Sequence, residues 1–276
     1  MVSPVVIAHR CYAGVAPENT VGAAVAAAAH DDTAMLEIDV QPARCGTPVV
    51  IHDERLEGRR DGRPLTDASG YVWETPLEDL RTARVLGTDE TVPTLAALLA
   101  AVPETVGVNV ELKTPGTADL RVDESLPADE RDARRELWEP FVERVCEECR
   151  AFDGEVLFSS FCEGAIAAVR EVDPSVAAAP LVLGDLEAGL EIATRYDCEA
   201  IHPPADAILD GGFANASDDG STDRPTIDVL EEAHAAGRAV NVWTITTWHQ
   251  FVTLAEAGVD GIVADYPGLG PASWRS

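Results

Sequence analysis

Lysine is almost missing from this 276-residue chain; Lys113 is the single example, and the other basic residues are arginine. Positive charge as a whole is scarce, with 20 Lys and Arg against 49 Asp and Glu and a formal net charge of −29. A surface so acidic repels polyanions, which argues against nucleic acid and anionic membranes as partners. No apolar run approaches the roughly 20 residues needed to cross a bilayer, so no stable membrane insertion is expected. The opening Met1-Val2-Ser3-Pro4 has no basic flank, so no secretory leader is expected and cytoplasmic residence follows by default. Cysteine is sparse as well, with six residues at positions 11, 45, 146, 149, 162 and 198. Cys146 and Cys149 form a C-x-x-C inside a charged helical segment without a second pair, too little for a zinc site. Reduced, mostly buried thiols are expected.

A net charge of this size destabilises a compact chain by self-repulsion in dilute buffer. In molar salt the Debye length shrinks to about 3 Å and the repulsion is largely screened. The composition therefore suits a salt-rich, halophilic cytoplasm. The unfolding midpoint should rise strongly between dilute and molar KCl; a flat dependence in a thermal melt would refute the adaptation.

Apolar residues make up 46% of the chain and charged residues 25%, ordinary for a globular protein. Short β-branched runs alternate with alanine-rich helical stretches, the pattern of a parallel sheet with crossover helices. Eight strands are expected: Val5–His9, Met35–Val40, Val106–Lys113, Val156–Ser160, Ala178–Leu183, Ala200–His202, Ala239–Thr244 and Gly261–Ala264. Helices are expected over Asn19–His30, Thr94–Ala101, Asp129–Arg150, Glu163–Glu171, Asp185–Tyr196, Thr226–Ala236 and Thr247–Ala257, with room for a short last one after Pro267. Together these elements predict one α/β domain over residues 1–276, a TIM (β/α)8 barrel. Pro48–His52 follows strand two too closely for a crossover helix, so it should return antiparallel as a hairpin arm above the barrel mouth. Residues 53–93 then form a small insertion before strand three. Thr114–Asp129 and Asp210–Asp223 are polar stretches that follow strands, as lids or as solvated acidic loops.

Functional residues of such barrels stand at the C-terminal ends of the strands, and the polar residues here gather there. His9 and Arg10 follow strand one, Glu37 and Asp39 close strand two, and Glu111 and Lys113 close strand three. Trp243 lies in strand seven and Asp265 follows strand eight. Alternation puts Glu37 with Asp39, and Glu111 with Lys113, on shared faces. His52 arrives on the arm. Three carboxylates without a sulfur ligand suit one hard divalent cation, Mg²⁺ or Ca²⁺. Charge agrees: three carboxylates, two cations and a phosphodiester leave two negative charges, which a divalent ion cancels. Any one of these residues alone is more often an ion-paired edge or a hydrogen-bonded core group than a catalyst. Their joint placement at one mouth, and the single lysine kept at a strand end between carboxylates, favour a site for a phosphate ester.

These residues lie in strings that resemble the glycerophosphodiester phosphodiesterase family. The first is His9-Arg10-Cys11-Tyr12-Ala13-Gly14-Val15-Ala16-Pro17-Glu18-Asn19-Thr20, similar to the family's H-R-G…P-E-N-T. The others are Glu37-Ile38-Asp39-Val40, Pro48-Val49-Val50-Ile51-His52-Asp53, Glu111-Leu112-Lys113, Ser159-Ser160-Phe161, Trp243-Thr244 and the run Gly258 to Pro267. The resemblance implies metal ligation by Glu37, Asp39 and Glu111, with His9 and His52 as the acid–base pair. It implies phosphate contacts from Arg10 and Lys113, and Trp243 against the glycerol unit of a small-molecule phosphodiester. Glu18 and Asn19 would support the ligands from behind, Asn19 also capping the first helix. The chain departs from the family at Cys11, where glycine is usual, and at Thr246, where asparagine is frequent. Cys11 is strained if that position needs a positive φ, and its thiol should not be a nucleophile beside carboxylates. Two rivals remain, a non-catalytic barrel that binds phosphate esters and a Schiff-base lyase using Lys113.

Overall fold

The computed structural model describes residues 3–209 and 227–271. Strand β1 (Val5–Ala8) leads through a short 3-10 turn at His9–Cys11 to helix α1 (Val21–Ala28). Strand β2 (Thr33–Pro42) is followed by the arm strand β3 (Pro48–Val50) and by a ribbon of β4 (Arg59–Arg60) and β5 (Arg63–Pro64). Helices α2 (Leu77–Leu80) and α3 (Leu95–Leu99) precede β6 (Gly107–Leu112) and the long α4 (Ala128–Cys149). Then come β7 (Val156–Ser160), α5 (Glu163–Val172), β8 (Ala177–Pro180), α6 (Leu186–Arg195) and β9 (Ala200–Ile201). The chain ends its described part with α7 (Val229–Ala235), β10 (Ala239–Ile245), α8 (Trp248–Ala257) and β11 (Gly261–Ala264).

Eight of these strands run parallel around a barrel, in the order β8-β7-β6-β2-β1-β11-β10-β9. The ring is completed by a parallel bridge between Leu181 and His202, with Val182 and His202 donating backbone hydrogen bonds across it. All eight expected strands are present, β7 and β11 with the expected bounds and the others with ends displaced by at most three residues. The arm pairs antiparallel to β2, Val40 opposite Val50 and Pro42 opposite Pro48, as the short connection requires.

Pleat alternation decides what faces the barrel axis. Ile7, Met35, Leu157, Ala179, Ala200 and Val263 fill the interior, and a larger core of Leu, Val, Ile and Ala side chains lies between strands and helices. The insertion has its own buried cluster, in which Leu56, Leu65, Val72, Leu80 and Val85 pack against Val49 and Ile51 of the arm. That shared cluster fixes the arm to the insertion. No helix among the described residues is long and apolar enough to cross a membrane.

Helix starts follow capping chemistry: the side chains of Thr20, Thr94, Asp185, Asp228 and Thr247 each accept a backbone N–H of the first turn. The first of these corrects an expectation. Thr20, not Asn19, caps α1, because Asn19 has φ 59° and turns its side chain into the barrel mouth. The Thr114–Asp129 stretch is clipped down. The Asp123 carboxylate accepts backbone N–H groups of Leu183, Gly184 and Asp185 at 2.8–2.9 Å. Buried Glu163 accepts from Leu126 N, Arg195 and Tyr196. The Asp210–Asp223 stretch, the start of the helix expected from Thr226 and the end of the expected last helix lie outside the described residues.

Candidate active site

Register builds the centre of the mouth. Asp39 is the register partner of Glu111 across β2 and β6, and Glu37 sits two residues earlier on the same face of β2. Ligand-type oxygens of Glu37, Asp39 and Glu111 lie within 4.8 Å of one another, all three residues buried. Glu37 Oε1 is buried with no hydrogen-bond partner, an orphaned acceptor on one member of the carboxylate cluster. Burial first, then the charges of Asp39 and Glu111, push the Glu37 carboxyl well above the ordinary carboxylate range. Asp39 behaves oppositely. Its burial is outweighed by His52, Lys113, Arg10 and the Asn19 hydrogen bond, which hold it far below that range. This donor set fits a hard divalent cation, which would supply the missing partner of Glu37.

Arginine and lysine are threaded among the carboxylates. Arg10 donates its backbone N–H to Glu37 Oε2 at 2.8 Å, and its guanidinium lies 3.4 Å from Asp39 and 3.3 Å from Glu18. The turn that aims it is costly. Arg10, Cys11 and Tyr12 all take left-handed conformations, with φ 47°, 62° and 63°, each unfavourable by about 1 kcal/mol for a residue with a Cβ. Cys11 thus occupies a positive-φ position, which accounts for the family's glycine there. Burial, followed by Glu37 and Asp39, drives its thiol well above the usual range, so it is no nucleophile. Lys113 Nζ donates to Glu111 at 2.5 Å and lies 3.5 Å from Asp39. Burial would lower its pKa, but Glu111 and Asp39 overcome this and raise it. Carboxylates that favour the charged ammonium work against Schiff-base formation, which needs the free amine, and so weigh against the lyase reading. Asn19 Nδ2 donates to Asp39 at 2.7 Å, and Glu18 joins Arg10, so both stand behind the carboxylate cluster.

Two histidines flank this centre, and each is paired with an aspartate. The register Ala8 opposite Ala264 sets the next residues side by side, and His9 Nδ1 lies 2.6 Å from Asp265 Oδ1. His9 Nε2 then lies 4.0 Å from Glu37. On the arm, His52 Nδ1 lies 2.7 Å from Asp53 Oδ1. An aspartate at Nδ1 holds a proton there and leaves Nε2 for proton transfer. Gln41 Nε2 lies 2.9 Å from each of the carbonyl oxygens of Ile51, His52 and Asp53, which fixes the end of the arm. Trp243 donates its indole N–H to His202 O at 2.8 Å and meets Phe161 edge-on at a centroid distance of 5.5 Å. Thr246 is exposed, its N–H held by Gln250 at 3.1 Å.

A (β/α)8 barrel with paired imidazoles beside a carboxylate cluster and two cations meets its match in one family. The glycerophosphoryl diester phosphodiesterase family matches residues 9–269. The chain belongs to that family. It is therefore an enzyme of the phosphoric diester hydrolase type. Among relatives, the glycerophosphodiester phosphodiesterase of Bacillus altitudinis is 26% identical over 277 residues, covering 95% of this chain and 94% of that protein. Among solved structures, an Oleispira antarctica phosphodiesterase in complex with its product sn-glycerol-3-phosphate superposes with a TM-score of 0.73 at 25% identity, covering 96% of this chain and 94% of the other. The Agrobacterium tumefaciens glycerophosphodiester phosphodiesterase shares the fold, with a TM-score of 0.70 at 21% identity over 98% of both chains.

Every site residue expected from the sequence stands around this mouth: His9, Arg10, Glu18, Asn19, Glu37, Asp39, His52, Glu111, Lys113 and Trp243. Sequence reading placed Asp265 at the mouth but gave it no task, and it overlooked the Asp53 carboxylate. The adjacency His52-Asp53 was the available signal for the second. Arg60 was overlooked altogether. Nothing in its neighbourhood, Gly58-Arg59-Arg60-Asp61-Gly62, marks it as more than a surface turn.

Proposed function

We propose that this family member hydrolyses glycerophosphodiesters to glycerol phosphate and an alcohol, using His9 and His52 as the acid–base pair and one divalent cation, Mg²⁺ or Ca²⁺. The observation that carries the reading is the pair of Asp–His couples flanking one buried carboxylate cluster. Glu37, Asp39 and Glu111 would hold the cation, which as a Lewis acid would polarise a non-bridging phosphate oxygen.

The remaining work falls to the chain's own groups. Arg10 and Lys113 present fixed positive charge to the phosphate, held in place by Glu18, Asp39 and Glu111, so little reorganisation is needed as charge develops. One histidine takes a proton at Nε2 from the attacking hydroxyl, and the other gives one to the departing alcohol. The family resemblance points to the substrate's own glycerol hydroxyl as attacker, with a cyclic phosphate that water then opens. Asp53 and Asp265 stabilise the imidazolium at each stage. Trp243 and Phe161 offer an apolar wall for the glycerol unit. A purely binding role leaves the two aspartate-oriented histidines without a task, so it is not preferred.

The test is turnover of glycerophosphocholine, glycerophosphoethanolamine and glycerophosphoglycerol in molar KCl, with Mg²⁺ or Ca²⁺ and with EDTA. Glycerol phosphate should be released from at least one of them and disappear with chelator. Absence of turnover with either ion would refute the reading, and turnover indifferent to EDTA would refute its metal.

A further inference from the structure

We propose that Arg60, delivered by the ribbon of the insertion, is a positioning residue for the His52–Asp53 couple, so that the insertion completes the active site. The inference rests on the reading of His52 as an acid–base group.

The local chain explains how a remote arginine gets there. Asp61 and Gly62 both have positive φ, 47° and 79°, the turn that joins two short strands with the natural twist. That turn pairs Arg59 with Pro64 and Arg60 with Arg63, and the ribbon carries Arg60 back toward the mouth. Its guanidinium grips Asp53 with two nitrogens, Nη2 at 2.5 Å from Oδ1 and Nη1 at 3.2 Å from Oδ2. Nη2 also lies 3.2 Å from His52 Nδ1. The same Asp53 Oδ1 therefore accepts from the imidazole on one side and from the guanidinium on the other. Arg60 Nε donates to Glu18 Oε2 at 2.9 Å, and the Glu18 side chain is only 5% exposed.

Glu18 in turn meets Arg10, and Arg10 meets Asp39. Signs alternate along this path: Asp53, Arg60, Glu18, Arg10, Asp39. It links the arm to the carboxylate cluster through residues of four separate segments. Gly58 lies against the same carboxylate. A Cβ on Gly58 would collide with Asp53 Oδ2. One residue of the ribbon's approach leaves room for the carboxylate, and another pins it. Two-point recognition of a carboxylate needs the planar fork of arginine, which an ammonium does not reproduce.

The phosphate and the cation are held by other groups, so loss of Arg60 should strike kcat and spare the rest. Arg60→Gln is expected to lower kcat about 10- to 100-fold, the range typical of lost support to a site residue. KM and the Mg²⁺ dissociation constant from calorimetry should stay within about threefold. Arg60→Lys should recover only part of kcat, and free guanidinium at millimolar concentration should restore part of it in Arg60→Gln. Gly58→Ala should lower kcat by displacing Asp53 while keeping every charge. Arg63→Gln, an exposed position on the partner strand of the ribbon, is the control that should match wild type. Wild-type kcat in Arg60→Gln, or equal losses in kcat and in Mg²⁺ affinity, would overturn the assignment. An inactive wild-type protein would instead overturn the proposed reaction itself.

Discussion

His9→Ala and His52→Ala are each expected to lower kcat by about 10²- to 10⁴-fold, the usual worth of a positioned proton-transfer group. Both side chains are partly exposed at the mouth, at 20% and 28%, so their removal should leave the fold and its melting transition largely intact. The double variant should cost little more than the worse single one, because the two imidazoles serve one proton economy and such pairs are not additive. Each aspartate partner gives a weaker version of the same effect. Asp265→Asn leaves His9 in place but offers an amide where a carboxylate oriented Nδ1–H and balanced the imidazolium. Near-wild-type turnover in either histidine variant, measured on the best substrate of the panel, would end the acid–base assignment.

Amide substitution of the carboxylate cluster is expected to separate catalysis from stability. Glu37→Gln, Asp39→Asn and Glu111→Gln should each reduce turnover by about three orders of magnitude. Lewis-acid stabilisation is worth several kcal/mol, and each 1.36 kcal/mol is a factor of about ten. Stability should respond differently at two of the positions. A buried carboxyl whose folded pKa lies above its unfolded value costs stability at every pH above that unfolded value, and Glu37 is such a group. Without added metal, Glu37→Gln should therefore melt no lower than wild type near neutral pH. Asp39 has the opposite sign, with Lys113, Arg10 and Asn19 all bound to its charge. Asp39→Asn strips a buried ion network of one partner, a loss of about 3–5 kcal/mol. Wild type should gain melting temperature on addition of Mg²⁺ or Ca²⁺, and none of the three amides should show the full gain. Melting curves in chelator and in millimolar Mg²⁺ decide this. A Glu37→Gln protein that melts well below wild type in chelator would contradict the strain assigned to Glu37.

The acidic surface and the acidic site obey different rules. Exposed charges are screened by salt, so molar salt is expected to weaken the repulsion behind most of the net charge of −29. The mouth is buried, and its like charges are compensated locally by Arg10, Lys113 and Arg60. High salt should therefore stabilise the shell of the molecule without substituting for a cation bound in the mouth.

The amino-acid order by itself determined the strands, the faces and the carboxylates that share one mouth. Two-residue alternation along one strand fixes Glu37 with Asp39, and Glu111 with Lys113, before any partner strand is known. The short turn between Pro42 and Pro48 dictated an antiparallel arm, which brought His52 to the mouth. Thr, Asp and Ala patterns started the helices within a residue or two. Tertiary structure decided what lies between segments distant in the chain. The pairing of β1 with β11 joined His9 to Asp265 across 256 positions, and barrel closure through Leu181 and His202 set the ring in which all these strand ends face one another. Local pattern says which way a side chain points; only the closed sheet says whom it meets. The same holds for Arg60, an unremarked turn residue until the ribbon folds back, and for Asn19, whose cap role yields to a buried bond with Asp39.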